Sequence, residues 1–197
     1  MSGVNYANSS VHKSDLQLIE NYAVSLSGGG GGGAQHEYAY AAHTSNISVP
    51  QTTDTTAPIS SITNLSSKFT LTGGNTLVYS GGTKTYSVNL SGTFQGDAMN
   101  PTTLYIRVNV LSGVTNATIP GSSCSVVAGG STVPPNPAVV NFDSVSVQSL
   151  QNGDQISVKM TTTGGSGAGG ALQAASASVG GVSYSVPSLR LMLREIK

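Results

Sequence analysis

Hydrophobic and polar residues alternate with a period of two along most of the chain beyond residue 64. Such a period places successive side chains on opposite sides of a strand, so each alternating segment predicts a half-buried β-strand. The predicted buried scaffold comprises Leu104, Ile106, Val108, Ile156, Val158, Leu189 and Leu191. Because turn signals separate these segments and no helical period lies between them, the fold class we expect is all-β, an antiparallel sandwich over residues 64–197.

The most distinct turn of this region is Gln151-Asn152-Gly153-Asp154. Val145 and Val147 precede it and a second alternating segment follows it, which is the pattern of a β-hairpin. In the closing segment leucines occupy every second position from Leu189 to Leu193. We therefore expect the last strand to lie inside a sheet.

A helical period is found near the N-terminus. Ser14 followed by Gln17 has the form of a capping box, and the spacing predicts a helix over residues 15–26. Its apolar face consists of Leu16, Ile19, Tyr22 and Leu26. A helix of about 12 residues is marginal in isolation, so we expect this face to dock on another chain or to coil with copies of itself. Folding back onto its own domain is the alternative.

Six consecutive glycines, Gly28 to Gly33, follow the predicted helix. A glycine run behaves as flexible coil, so we expect a hinge here. Residues 34–62 are rich in Ser, Thr, Ala and Pro without sustained periodicity, which indicates an extended arm, with a disordered linker as the alternative. The predicted organisation is an N-terminal anchor with a short helix (1–27), a hinge and extended arm (28–63) and a head domain (64–197).

The chain carries little charge. Only 8% of its 197 residues are charged, and eight basic residues balance eight acidic ones. Without a cluster of Lys and Arg to bind a polyphosphate, we do not expect nucleic-acid binding. The sequence begins without a basic region followed by an apolar stretch, and no run is long enough to span a bilayer. With a single cysteine, synthesis in a reducing cytosol is the simplest expectation.

Residues that could support catalysis or bind metal are scattered. His36 and His43 stand seven residues apart rather than one helical turn apart, so they do not form a zinc-protease motif; a metal site at a symmetry axis is the alternative. All three histidines precede the predicted sandwich, which leaves a serine triad without a base. Cys124 has no nearby His or cation to lower its pKa. We therefore expect no enzyme activity, no bound metal and no cofactor.

The acidic residues of the predicted sandwich before Glu195 are Asp97, Asp143 and Asp154. Each stands beside turn-like sequence, where an Asp side chain often accepts a hydrogen bond from a nearby backbone amide. We expect such Asx-turn roles; a calcium site or a carboxylate pair is the alternative.

Four segments carry a family resemblance. They are GGTKTYSVNLSGTF (81–94), TLYIRVNVLSG (103–113), VSVQSLQNGDQISVKM (145–160) and PSLRLMLREIK (187–197). The first is similar to a G-x-Y-x-[VI] strand, the second to a long aliphatic strand that ends in an Asn-containing turn, and the third to a V-x-L-x-x-GD hairpin. In this order they resemble the tumour-necrosis-factor-like and complement globular-head jelly rolls, in particular those of bacteriophage virion structural proteins.

The resemblance implies a jelly roll that assembles as a homotrimer, with subunits packed edge to face around a threefold axis. Tyr105, Arg107 and Met192, which alternate with the predicted core residues, are then candidate residues of the trimer interface. A helix, a hinge and an arm before a trimeric head is also the layout of capsid fibres, spikes and decoration proteins. That analogy rests on the fold alone.

The function we expect is therefore a virion structural protein of the capsid surface, assembled in the host cytoplasm. It would be a phage decoration protein, head fibre or spike, bound through its N-terminal arm to the major capsid protein or another virion component. The alternative is a receptor- or glycan-binding head of a tail fibre, with its loops at 95–102, 128–137 and 164–170 as contacts. The lack of Trp and the scarcity of aromatic residues in those loops weigh against a glycan site.

Overall fold

The computed structural model describes residues 37–64, 67–97, 100–132, 135–137, 139–165, 169–179 and 182–196. Regular structure in these residues is entirely β-strand, arranged in two seven-stranded sheets and two small hairpins. No helix among them could cross a membrane. The predicted helix with Leu16, Ile19, Tyr22 and Leu26, and the predicted hinge from Gly28 to Gly33, lie outside the described residues.

The strands of the described residues are β1 (Tyr38–His43), β2 (Ile47–Val49), β3 (Thr55–Thr56), β4 (Ser61–Asn64), β5 (Phe69–Thr72), β6 (Thr76–Tyr79), β7 (Lys84–Gln95), β8 (Thr102–Ser112), β9 (Thr115–Thr118), β10 (Cys124–Ala128), β11 (Gly130–Thr132), β12 (Pro135–Pro137), β13 (Val139–Leu150), β14 (Gln155–Gly164), β15 (Gly170–Leu172), β16 (Ala175–Val179), β17 (Val182–Val186) and β18 (Leu189–Glu195). Strands β11 and β12 form one small hairpin, and β16 and β17 form the other. All pairings between these strands are antiparallel, as the alternating pattern predicts.

The first sheet has the order β2–β15–β7–β18–β1–β4, and β13 pairs with the other side of β7. The β13–β7 pairing runs the full length of both strands, from Val139 opposite Gln95 to Leu150 opposite Lys84. Strand β18 lies between β7 and β1, which confirms that the closing strand is inside a sheet. Because β13 pairs with β7 alone among the described strands, it is an edge strand.

The second sheet has the order β10–β8–β14–β6–β5, with β9 also paired to β8 and β3 to β14. The two sheets enclose one hydrophobic core. All seven residues of the predicted scaffold are buried in it, so that prediction is confirmed. Complete burial of an aliphatic side chain contributes about 1.5–3 kcal/mol, which makes this core the main source of the domain's stability.

The extended arm predicted for residues 28–63 is corrected by the structure over residues 38–63. Strand β1 pairs with both β18 and β4, β2 pairs with β15, and β3 pairs with β14, so these residues belong to the sheets. The head therefore does not begin at residue 64. The inward positions of β1 are Ala39 and Ala41, and such small side chains give little hydrophobic contrast to reveal a strand in the sequence.

The predicted hairpin around Gln151–Asp154 is wrong. Strand β13 belongs to the first sheet and β14 to the second, so the turn between them carries the chain from one layer to the other. Asp154 does have a role in this turn, because a carboxylate oxygen of the buried side chain accepts a hydrogen bond from the amide of Gln151 at 3.0 Å. That amide lies three residues before Asp154, so the contact is not the predicted Asx-turn, which uses an amide further along the chain. The same residues can close a hairpin or connect two layers, and sequence pattern does not separate these outcomes.

Of the other two Asx-turn predictions, the one for Asp97 is confirmed and the one for Asp143 is wrong. Asp97 accepts a hydrogen bond from the amide of Asn100 at 2.9 Å, which confirms its turn role. Asp143 lies in the middle of β13, where its carboxylate accepts a hydrogen bond from Asn89 Nδ2 at 2.9 Å. The prediction for Asp143 is therefore wrong, because its segment continues as a paired strand instead of turning.

Candidate functional site

A cluster of charged and phenolic side chains closes one end of the sandwich. Lys84 Nζ lies 2.8 Å from Glu37 Oε1 and 3.1 Å from Glu195 Oε1. The other oxygen of Glu37 accepts hydrogen bonds from Tyr86 and, at 3.4 Å, from Tyr79. The second carboxylate oxygen of Glu195 accepts a hydrogen bond from the backbone amide of Glu37 at 2.9 Å. We call these five residues the end clamp.

Aromatic packing holds the two tyrosines of the end clamp in place. Phe69, Tyr79 and Tyr86 form a three-ring cluster with centroids 5.1–5.5 Å apart, and two of the three pairs meet edge to face. Such pairs contribute about 0.5–1.5 kcal/mol beyond their burial. The rings are buried, while the hydroxyl of Tyr79 also reaches the carbonyl of Gly82 at 2.8 Å. The phenolic donors of the clamp are therefore fixed by the core beneath them.

The pKa values in the end clamp follow from these contacts. Burial acts to raise the pKa of Glu37, but hydrogen bonds from Lys84 and Tyr86 outweigh it, so the pKa lies below the ordinary 4.5. Hydrogen bonds to Glu37 and Glu195 hold the pKa of Lys84 above 10.5. Burial raises the pKa of both Tyr79 and Tyr86. At neutral pH the clamp thus contains the charged carboxylate of Glu37, the charged amine of Lys84 and the neutral hydroxyl donors of Tyr79 and Tyr86.

The end clamp connects three strand termini. Glu37 precedes β1, Lys84 begins β7 and Glu195 ends β18, and the amide of Glu195 donates to the carbonyl of Glu37 at 2.9 Å. Because Lys84, the tyrosines and a backbone amide occupy the carboxylate oxygens, the geometry supports a structural role rather than acid–base catalysis. The clamp fastens the first and last strands of the described domain to each other.

We expect the loss of stability in acid to depend on Glu37. Its pKa is lower in the folded than in the unfolded protein, so it stabilises the fold above pH 4.5, and this contribution disappears as the pH falls further. Urea unfolding at a series of pH values should show the free energy of unfolding falling below pH 4.5. The fall should be smaller in Glu37→Gln. Identical acid limbs in the two proteins would contradict this expectation.

Sequence reasoning missed the end clamp. Glu37 was assigned to the arm, and neither Lys84 nor Glu195 stands in a motif of catalytic or binding residues. Their proximity depends on the pairing of β1 with β18 and of β18 with β7, which bring together residues 158 positions apart. The one local signal is that three of the chain's few charged residues each stand at a strand terminus.

A second candidate surface is the side of the first sheet that faces away from the core, which we call the outer face. Four neighbouring strands place Tyr40, Met192, Asn89 and Val145 side by side in one row across it. At the β13 edge, Val139, Val145 and Val147 expose 58%, 61% and 57% of their surface. A long edge strand that carries exposed valines is a site where another chain can pack.

The predicted interface residues lie on both sides of the sandwich. Tyr105 and Arg107 are on the solvent side of β8 in the second sheet, whereas Met192 is on the outer face of the first sheet. Arg107 is engaged by Asp54 through two hydrogen bonds of 3.1 and 2.7 Å, and Tyr105 is 43% exposed. One subunit therefore does not bring the three together, and their role in a trimer remains a prediction.

A shallow groove of about 230 Å³ lies beside Tyr105. Its lining consists of Tyr105, Ile106, Arg107, Ser123, Cys124 and Ser125. Ligand pockets typically enclose about 300–1,000 Å³, so the groove is small for that purpose. Burial, with the charge of Asp143, raises the pKa of the Cys124 thiol, which keeps it protonated and unreactive. Within the described residues, no group of three His, Cys, Asp or Glu side chains could hold a metal ion.

The two sheets, with β13, β7, β18 and β1 in one layer and β10, β8, β14 and β6 in the other, define a tumour-necrosis-factor-like jelly roll. The chain is similar in fold to crystal structures of murine APRIL. The structure at pH 5.0 gives a TM-score of 0.52, and those at pH 8.5 and pH 8.0 give 0.50. Each match has 12% sequence identity and covers 82% of this chain and 100% of that chain.

This likeness confirms the tumour-necrosis-factor-like part of the resemblance, and at such low identity it concerns the fold alone. No protein-family model and no curated protein matches the sequence. Function must therefore be argued from the surfaces of the jelly roll itself.

Proposed function

We propose that this protein is a virion structural protein, a homotrimeric jelly-roll head that decorates a phage capsid or forms its head fibre. The observation that carries the proposal is the β13 edge, where three valines are more than half exposed on a strand that has one partner among the described strands. Natural proteins usually protect such an edge with charge, bulges or a covering element. Coverage by a neighbouring subunit supplies that protection.

The chemistry of the described surface supports assembly rather than turnover. In the end clamp the carboxylate of Glu37 is occupied by hydrogen bonds from Lys84 and Tyr86. The outer face is lined by hydroxyl and amide side chains such as Ser87, Asn89, Ser91 and Thr93. Hydroxyl and amide groups can form hydrogen bonds with a neighbouring subunit, which offsets the cost of removing them from water. Packing of one subunit's β13 edge on the outer face of the next would repeat around a threefold axis and close the assembly.

Anchoring is assigned to residues 1–27, whose predicted helix has an apolar docking face. Three anchors on one trimer bind together, and their combined avidity exceeds the affinity of each alone. The major capsid protein or another virion component would be the partner, and the jelly roll would be displayed outward from the capsid.

The first test is the solution mass of the full-length protein, measured by light scattering coupled to size exclusion. We expect three times the 19.8 kDa of one chain. A fragment of residues 36–197 should remain trimeric because it keeps all the strands of both sheets. A monomeric full-length protein would overturn the proposal. A fragment beginning at residue 64 is unsuitable, since it lacks β1, β2, β3 and all but the last residue of β4.

Deletion of residues 1–27 separates the anchor from the head. We expect the deleted protein to stay trimeric but to lose co-sedimentation with capsids of its phage. Retained co-sedimentation would contradict the anchor role and leave the trimeric head in place.

The second candidate function is a receptor- or glycan-binding head of a tail fibre. It is favoured by the exposed ring of Tyr105 beside a groove that also presents Arg107, Ser123 and Ser125. A glycan array separates the two: a selective signal that disappears in Tyr105→Ala would favour glycan binding, and a blank array would count against it.

A further inference from the structure

Two arginines of the outer face, Arg190 and Arg194, have no acidic partner within the part of the chain that the structure describes. Arg190 and Arg194 flank Met192 on β18, and neither forms an ion pair among the described residues. The Nε atom of Arg190 is also buried and has no hydrogen-bond acceptor among the residues with described positions. Because Arg190 as a whole is only half-buried, other N–H groups of its guanidinium remain available to a carboxylate supplied by a neighbouring subunit.

The β13 edge carries a carboxylate, that of Asp143, for which the described ranges of the chain supply no cationic partner. Asp143 is exposed, accepts one hydrogen bond from Asn89, and is not in an ion pair with any described residue. Asp143 and Arg190 both stand opposite Ser91, one on each side of it, so two strand spacings of about 10 Å in total separate their backbones. The unpaired acid is thus at the edge of the subunit, and the unpaired bases are on its face.

The spacing of these groups matches along the two strands. Asp143 and Val145 are alternate residues of β13 on its outward side, and Met192 has an arginine two positions away in each direction on β18. A β13 strand laid over a neighbour's β18 can therefore set Val145 on Met192 and Asp143 beside an arginine in either strand direction. One register of β13 on the neighbour's β18 therefore forms both the apolar contact of Val145 with Met192 and the contact of Asp143 with an arginine.

We infer that Asp143 of one subunit forms an ion pair with Arg190 or Arg194 of a second copy of this chain, and that this pair fixes the register of the β13 edge on the outer face. The inference rests on the proposed homotrimer and identifies the residues that specify its contact. Charge pairs at an interface set specificity and register, and close pairs have coupling energies that change affinity about tenfold or more.

Charge reversal tests the pair in the full-length protein. Asp143→Arg, Arg190→Asp and Arg194→Asp reverse charge at surface positions of the outer face. We expect Asp143→Arg and one of the two arginine variants to raise the dissociation constant of the trimer about tenfold or more, measured by light scattering over a dilution series. Combining these two in one chain should restore the trimer. Lys68→Asp, which makes the same charge change away from the outer face and outside any described ion pair, should leave the mass unchanged.

A mixing experiment shows whether the pair lies between subunits. The Asp143→Arg chain has a basic edge and a basic face, whereas the arginine variant has an acid at both places. Each should dissociate alone, and the two should co-purify when mixed. A mixed trimer has two favourable contacts and one repulsive contact, so its dissociation constant should lie between those of the single variants and that of the double variant. A double variant that assembles while the two single variants do not associate at all when mixed would place the attraction within one chain and overturn the inference. Trimeric single variants would overturn it as well and leave the homotrimer standing, whereas a monomeric wild-type protein would overturn both.

Discussion

Val108→Asp is expected to unfold the jelly roll. Val108 is completely buried on β8, between β10 and β9 on one side and β14 on the other, where its partner in the register is Val158. An aspartate here has no counter-ion and is shielded from water by the opposite sheet. The cost of an unpaired buried charge is about 4 kcal/mol or more, which is a large share of the roughly 5–15 kcal/mol that stabilises a domain.

Circular dichroism and urea unfolding measure this effect directly. Val114→Asp is the matched control, because Val114 is 99% exposed in the turn between β8 and β9. It should change the free energy of unfolding by no more than about 0.5 kcal/mol. A Val108→Asp protein with wild-type stability would show that the inward face of β8 has been assigned to the wrong side.

Glu37→Gln is expected to lower the free energy of unfolding by about 2 kcal/mol at neutral pH. The substitution keeps the shape of the side chain but removes the negative charge that accepts hydrogen bonds from Lys84 and Tyr86. The remaining amide oxygen cannot serve both donors equally well, and the amide hydrogens meet no acceptor in the end clamp. For a domain of this size the midpoint of thermal unfolding should fall by about 5 °C.

The control for this variant is Asp54→Asn. The carboxylate of Asp54 also accepts two hydrogen bonds from a basic side chain, that of Arg107, but the Asp54 side chain is 44% exposed. Exposed ion pairs contribute about 0–1 kcal/mol, so Asp54→Asn should have a smaller effect than Glu37→Gln. Equal losses in the two variants would mean that burial of the end clamp adds nothing to its strength.

The buried scaffold could be predicted because the signal is local. In β8 aliphatic residues alternate with Tyr105, Arg107 and Asn109, and in β14 apolar residues alternate with Ser157, Lys159 and Thr161. Gly, Pro or Asn stands near each end of both strands. A strand with this alternation has one apolar face, and that face is buried whichever sheet the strand joins. Burial therefore follows from the pattern even when the partner strand is misassigned.

Strands with small residues could not be predicted in the same way. In β1 the inward positions are Ala39 and Ala41, whose side chains bury too little apolar surface to distinguish a strand from a linker. The pairing of β13 with β7, rather than with β14, is likewise decided by the whole sandwich and not by the turn at Gln151–Asp154. Tertiary pairing selects between local alternatives that are nearly equal in energy.

The candidate surfaces differ in the same respect. The alternation of Met192 with leucines predicts that its side chain points away from the core, and in the structure Met192 lies on the outer face. The end clamp and the unpaired Asp143 depend on which strands are neighbours, and no spacing along the chain reports that. The sequence pattern thus indicates which way a side chain points more readily than it indicates which side chains are its neighbours.

The end clamp also determines where the described chain enters and leaves the domain. Because Glu37 and Glu195 bind each other through backbone and side chain, residues 37 and 196 emerge side by side at one pole of the jelly roll. A peptide fused after the last strand would therefore start next to the point where the N-terminal segment joins the domain. For the same reason a short linker could join the two ends into a circularly permuted chain, with new termini opened at the opposite end of the sandwich, for example in the loop at Pro101 that precedes β8.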